Sequence, residues 1–206
     1  MGKRREISGV CHTFEDPPVH QPRRGVSRRD GSPEGDAVRF ARERLGFAPD
    51  NRQEELLRSD AKQGLLNCSR QWGKSTVAAI KAVHRAYFEA RSLVVVASPT
   101  ERQSAEFLLK AREFVRALKI PARGDGHNRI SIRLPNGSRI VGLPGKEATI
   151  RGFSSVNLLI IDEASRVPDD LYRALRPMLT AADGDVWLLS NCPRTTSHLG
   201  DRKSVV

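Results

Sequence analysis

Cysteine is scarce in this chain, which carries only Cys11, Cys68 and Cys192. Three thiols cannot all pair, and their spacing matches no metal-ligand pattern. That excludes a disulfide framework and a cysteine-based zinc site, and points to reduced thiols in a cytoplasmic protein. Long apolar runs are also missing: no stretch approaches the ~20 apolar residues of a membrane span, and no leader pattern opens the sequence, so neither a membrane partner nor secretion is expected. There is no internal repeat. Aromatic residues make up 5% and hydrophobic residues 38%, enough for a core of moderate size. Acidic residues are short as well, with 24 set against 35 Lys and Arg, leaving a formal charge of +11. Such an excess suits a nucleic-acid partner, because phosphate neutralisation dominates that kind of binding. A ribosomal or membrane-surface protein would carry the same charge.

The chain of 206 residues allows one domain of useful size plus a tail. Residues 1–35 hold Pro17, Pro18, Pro22 and Pro33, scattered glycines and paired arginines, with almost no apolar periodicity. Such a segment cannot offset its ordering entropy and is expected to be a disordered basic tail. Regular structure is expected from about Asp36, with a helix through Phe40 and Leu45 and a second over Gln53 to Leu57.

The densest chemistry lies in Cys68-Ser69-Arg70-Gln71-Trp72-Gly73-Lys74-Ser75-Thr76. Its Gly-Lys-Ser core offers a backbone that can bend, an ammonium and a hydroxyl, the parts of a phosphate-binding loop. In that reading Lys74 reaches the β- and γ-phosphates of a nucleotide and the Ser75 hydroxyl ligates Mg²⁺. The full motif asks for glycine where Cys68 stands, and the bare tripeptide is compatible with a solvated lysine at a helix start. The surroundings favour the loop. Gly64-Leu65-Leu66-Asn67-Cys68 can be a buried strand leading in. Beyond the loop, Val77, Ile80, Val83 and Tyr87 recur at the spacing of a helix, over about 75–90, packed on a sheet.

Downstream, Leu158-Leu159-Ile160-Ile161 is a continuous apolar run of the kind a central parallel strand shows, and it ends in Asp162-Glu163. Carboxylates at the C-terminal end of a buried strand sit where open α/β sheets place their chemistry. Asp162 is then the Mg²⁺-holding carboxylate, and Glu163 the base for water attacking the γ-phosphate. A helix-capping acidic pair is the plainer alternative.

Together, Ser69 to Thr76 and Leu159-Ile160-Ile161-Asp162-Glu163-Ala164 resemble the two nucleotide motifs of bacteriophage large terminase subunits, the DNA-packaging ATPases. That family's loop carries Arg-Gln-x-Gly-Lys-Ser/Thr without the first glycine, and the resemblance runs from about Leu45 to Ser190. It implies a P-loop NTPase of the RecA/ASCE type, α/β, a three-layer sandwich with a mainly parallel central sheet. It implies ATP and Mg²⁺ as cofactors, with Ser69, Arg70, Gln71, Trp72, Gly73, Lys74, Ser75 and Thr76 around the phosphates. Gln53 resembles the family's adenine-contacting glutamine, and Arg70 the arginine that stabilises the transferring phosphate, although a carboxylate partner is its simpler role. Leu93-Val94-Val95-Val96-Ala97-Ser98-Pro99-Thr100 reads as a second buried strand opening into a loop, with Gln103 on the next helix. Arg151, ahead of the acidic strand, is positioned to sense phosphate or touch DNA. Val186-Trp187-Leu188-Leu189-Ser190 resembles the strand that couples hydrolysis to movement, so Ser190 is expected to relay the product state.

Parallel strands are therefore expected at about 64–68, 92–98, 157–162 and 185–190. Ile130, Ile132 and Leu134 alternate with polar residues, Pro135-Asn136-Gly137-Ser138 forms a tight turn, and Arg139-Ile140-Val141-Gly142 returns. This inserted β-hairpin is expected at the sheet's edge, where Arg129, Arg133 and Arg139 would carry charge. The expected ATPase domain spans 36–200. Beyond it, Asp201-Arg202-Lys203-Ser204-Val205-Val206 resembles a translated sequencing adapter, so residues 201–206 are expected to be an artefactual tail, with a natural frameshift or early stop in a prophage remnant as the alternative. The RNase H-type nuclease domain of a whole large subunit has no residues here, and endonuclease activity is not expected of this chain. Double-stranded DNA, the terminase small subunit, the capsid portal and a homo-oligomeric ring are the partners the resemblance implies. A superfamily 2 helicase-like translocase shares the Asp-Glu-Ala motif and the upstream glutamine but needs a second RecA-like domain. A remnant that binds nucleotide without turnover is the non-enzyme alternative.

Overall fold

The computed structural model describes residues 11–12, 35–69, 71–126, 130–144, 153 and 155–191. Arg70, Arg129, Arg151, the nuclease question and the tail at 201–206 fall outside them. So does most of the 1–35 segment, of which Cys11–His12 forms a two-residue strand.

Among the described residues seven strands make one sheet: β1 (Cys11–His12), β2 (Gln63–Cys68), β3 (Leu93–Ser98), β4 (Ser131–Arg133), β5 (Arg139–Pro144), β6 (Leu158–Ile161) and β7 (Asp185–Asn191). Their order across the sheet is β1-β2-β7-β6-β3-β5-β4. The five inner strands run parallel, and β1 and β4 pair antiparallel at the two edges. All four strands expected to be parallel are present within one or two residues of their predicted bounds. The hairpin is present too, but its return strand β5 does more than line the edge: it pairs in parallel with β3, and only β4 is peripheral.

Among the described residues there are six α-helices: α1 (Ala37–Leu45), α2 (Asn51–Arg58), α3 (Lys74–Phe88), α4 (Glu101–Ala117), α5 (Asp169–Leu175) and α6 (Pro177–Thr180). Their placement follows from strand alternation. Leu66, Val94, Val96, Leu158, Ile160, Trp187 and Leu189 form one buried cluster with α1 to α4, while Val95, Ala97, Leu159, Ile161 and Val186 pack against α5 and α6 on the other face. The result is a three-layer sandwich in which β3 and β6 are buried on both sides, explaining their unbroken apolar runs. The segments joining β2 to β3 and β6 to β7 move in opposite directions across the sheet and place their helices on opposite faces, as right-handed crossovers require.

Helix starts and stops are written locally. Asp36 caps α1, accepting from the Val38 N–H, and Gly46 ends it in the left-handed region at φ 66°. Val77, Ile80 and Val83 are fully buried on α3, and Tyr87 is half-buried. Near its C-terminus, α3 is tied to the start of β7 by a buried Arg85–Asp185 ion pair. Among the described residues no helix is long and apolar enough to cross a membrane.

The contact between β2 and β7 depends on one glycine. Gly64 lies opposite Trp187, and a Cβ at Gly64 would stand 2.4 Å from the indole ring. Trp187 is buried, with Lys81 Nζ 4.4 Å from its ring centroid on the side of α3. Replacing Gly64 with Ala is expected to cost about 1–3 kcal/mol of stability through overpacking, read as a lower urea midpoint in chemical denaturation.

Candidate nucleotide-binding site

The site forms where β2, β6 and β3 end at the C-terminal edge of the sheet. The chain leaves β2 at Cys68, turns through Ser69 to Gly73 and enters α3 at Lys74. Cys68, at the position where the general motif has glycine, is buried in the core. The left-handed positions of the described loop are instead Gln71 (φ 66°) and Gly73 (φ 90°). Backbone freedom is needed there and not at Cys68, which is why the first glycine is dispensable. Gly73 is the N-cap of α3 and makes no side-chain cap bond; the Thr76 N–H already donates to the Gly73 carbonyl at 2.9 Å, and the Lys74 and Ser75 N–H groups, with the positive end of the helix dipole, are left for an anion.

Three groups converge on Asp162. The Ser75 hydroxyl donates to Asp162 Oδ2 at 3.2 Å, Lys74 Nζ lies 3.8 Å from Oδ1, and the Glu163 N–H donates to Oδ1 at 3.0 Å. The Lys74 and Asp162 side chains are only 13% and 11% exposed, so their attraction is weakly screened by solvent. An ammonium, a hydroxyl and a carboxylate at a helix N-terminus are the donor set that a magnesium-bound polyphosphate requires. Mg²⁺ takes oxygen ligands and needs few from the protein, usually one or two carboxylates with waters and phosphates. Among the described residues no group of three or more His, Cys, Asp or Glu side chains is placed to hold a metal, and this chemistry needs none.

Glu163 adopts φ 53°, ψ 46°, left-handed for a residue with a side chain. A conformation of that kind costs on the order of 1–3 kcal/mol and persists where the surroundings impose it, commonly at functional sites. Glu163 stands at the N-cap of the 3₁₀ turn Ala164–Arg166, yet its side chain makes no capping bond there. Its carboxylate is 3.5 Å from Arg166 Nη1. The i,i+3 spacing was visible in the sequence, but nothing there distinguished Arg166 from other surface arginines.

Gln53 is buried and ties α2 to the loop. It closes a capping box with Asp50, whose N–H donates to Gln53 Oε1 at 3.1 Å and whose Oδ1 accepts from the Gln53 N–H at 2.9 Å. Gln53 Nε2 also donates to the Trp72 carbonyl at 3.0 Å, and it would lie 3.2 Å from a Cβ placed on Gly73. The family resemblance implied a contact to adenine; the fold gives Gln53 a structural task, bracing the loop between β2 and α3. Asp50 was not singled out beforehand, although Asp-x-x-Gln ahead of an apolar pair is a capping signature.

The remaining expected residues are spread more widely. Ser69 and Gln71 are exposed on the loop, Trp72 is half-buried against the core, and Thr76 lies in the first turn of α3. Ser190 is the residue before the last of β7 and lies opposite Asn67 of β2. The alternation of β7 sets it on the face of Val186 and Leu188, opposite to the face of Leu189 on which α3 packs. Arg133 is exposed on the hairpin, and Arg139 pairs with buried Asp125 at 3.8 Å.

The architecture is a P-loop NTPase fold of the RecA type, with the loop after β2 and the acidic end of β6 at one edge of a mainly parallel sheet. Residues 65–200 match the family model described as the terminase large subunit, T4likevirus-type, N-terminal. This chain belongs to that family. Among solved structures it is similar to the large terminase ATPase domain of Thermus phage P74-26, at 25% identity and a TM-score of 0.64, over 72% of this chain and 66% of that one. It shares its fold with the large terminase of bacteriophage HK97, at 17% identity and a TM-score of 0.64, over 76% of this chain and 37% of that one. The large terminase of thermophilic bacteriophage D6E, solved in complex with ATP-gamma-S, matches at 12% identity and a TM-score of 0.50, over 59% of this chain and 30% of that one. The chain thus spans just under two thirds of the Thermus phage domain and about a third of the other two.

Replacing Gln53 with Ala removes both the loop brace and half of the capping box. The expected loss is about 1–3 kcal/mol of stability, measured by urea denaturation without nucleotide, because the Trp72 carbonyl and the Asp50 N–H both lose a partner.

Proposed function

We propose that this chain is the ATPase core of a phage DNA-packaging motor, binding MgATP at the Lys74–Ser75–Asp162 centre and hydrolysing it to drive double-stranded DNA into a procapsid. The observation that carries the reading is the convergence of the Lys74 ammonium and the Ser75 hydroxyl on Asp162 at 3.8 and 3.2 Å, at the N-terminus of α3. The terminase similarity and the nucleotide held by the D6E relative support it.

In this mechanism the N–H groups at the start of α3 and Lys74 bind the β- and γ-phosphates, and Lys74 offsets the charge that builds on the transferring phosphoryl group. Ser75 and Asp162 would supply oxygen ligands to Mg²⁺, which would offset phosphate charge there. Glu163 orients the attacking water and accepts its proton on the carboxylate, and its constrained backbone limits the directions that carboxylate can take. Gln53 holds the loop from behind and keeps its second amide hydrogen for the base. Arg70 stabilises transferred charge in its own subunit or a neighbour's, and Ser190 passes the product state along β7. A homo-oligomeric ring acting with the small subunit and the portal would turn these steps into DNA movement in an infected or lysogenic bacterial cell.

Three preparations test the reading. The unaltered chain should bind ATP in the presence of Mg²⁺ and turn it over, and Lys74→Ala should abolish both. Glu163→Gln should keep nucleotide affinity within a few-fold while turnover falls about 10²- to 10⁴-fold, the range for losing a positioned general base. Binding without turnover in the unaltered chain would favour a nucleotide-binding remnant. Strand separation independent of procapsids would favour a helicase-like translocase.

A further inference from the structure

One polar group at this edge of the sheet has no role in the mechanism above. Ser98, the last residue of β3, is fully buried, and its hydroxyl has no hydrogen-bond partner. Buried side-chain polar atoms are almost always paired, so an orphan hydroxyl calls for an explanation. Elsewhere this fold satisfies such groups: the Ser104 hydroxyl, equally buried, donates to the Leu143 carbonyl at 2.7 Å.

The register gives Ser98 a neighbour. β3 and β6 run parallel with Ala97 opposite Ile161, and the Asp162 N–H donates to the Ala97 carbonyl at 2.8 Å. Ser98 and Asp162 are therefore the next residues along two adjacent strands. Alternation sets their facing: Val94 and Val96 on β3, like Leu158 and Ile160 on β6, point to the face covered by α3. Continuing that period puts Ser98 and Asp162 on the same face, beneath the phosphate loop.

Two of the three groups that hold the Asp162 carboxylate are Ser75 and Lys74. Resting on the function proposed above, binding of Mg²⁺–nucleotide would draw the Lys74 ammonium to phosphate and the Ser75 oxygen to the cation, with the Ser75 O–H still able to donate to Asp162. Asp162 would then lose the ammonium that faces it while turning an oxygen to the cation. The geometry points to Ser98 as a positioning residue that donates its hydroxyl hydrogen to the Asp162 carboxylate in that metal-holding state. Carboxylates serving a metal are themselves held by hydrogen bonds, and losing such a partner costs about 10- to 100-fold in metal affinity. In this arrangement the buried Ser98 hydroxyl serves Asp162 when that carboxylate holds the metal.

The test measures binding of a fluorescent ATP analogue to the whole chain, first in EDTA and then with MgCl₂ titrated in. Ser98→Ala should raise the Mg²⁺ concentration for half-maximal enhancement about 10- to 100-fold. Its affinity in EDTA and its thermal midpoint should match the unaltered chain, since the hydroxyl makes no bond in that state. Ser98→Thr, which keeps the hydroxyl, should restore the Mg²⁺ response. An unchanged Mg²⁺ midpoint in Ser98→Ala, beside a normal response in the unaltered chain, overturns this inference alone. A lowered thermal midpoint with equal losses in EDTA and Mg²⁺ would make Ser98 a structural residue and also overturn it. Absence of any nucleotide binding by the unaltered chain defeats the proposed function, and this inference with it.

Discussion

The parallel register of β2, β7, β6 and β3 is the constraint on which the rest depends. A parallel sheet brings all its C-terminal strand ends to one edge, so the loop after β2 and the carboxylates after β6 meet there although other strands and helices intervene in sequence. Strand alternation does the finer work. Because Leu158 and Ile160 face α3, Asp162 faces it as well and meets Ser75; a slip of one residue would send that carboxylate to the α5 and α6 side. Gly64 against Trp187 helps fix the register at β2 and β7, where a side chain would collide with the indole.

Around that frame the site combines rigidity with held strain. The loop is braced from behind by Gln53, itself locked by Asp50. Gln71 and Glu163 both adopt left-handed backbone conformations despite carrying side chains, one in the phosphate loop and one beside the metal-type carboxylate. The surrounding fold bears that cost at both places, as it does at Arg91, Lys119, Ser155 and Asp183 elsewhere. Lys74 and Asp162, close and little exposed, neutralise one another at the N-terminus of α3.

Much of the fold was legible because its signals are local or periodic. The apolar runs of β3 and β6 announce strands buried on both faces, and Val77, Ile80 and Val83 announce a helix packed on a sheet. Asp36 and Gly46 mark the ends of α1 by their capping chemistry. Lys74, Ser75, Asp162 and Glu163 could be named from residue type and context. The assignment of β5 was less complete, since a hairpin strand read from alternation alone gives no sign that its other edge pairs in parallel with β3. Short elements such as α5 and α6 carry too few residues for a period to stand out.

By itself the sequence determined which residues can do chemistry and in what kind of element each sits, because strand runs, helix periods and capping residues are set by neighbours along the chain. The tertiary structure decided what those residues face. That Ser75 meets Asp162, that Gln53 braces Trp72 and Gly73, that Glu163 is left-handed beside Arg166, and that Ser98 lies orphaned next to Asp162 all depend on which strands pair and in what register. Those pairings are fixed by long-range packing on both faces of the sheet, which no local stretch of sequence encodes.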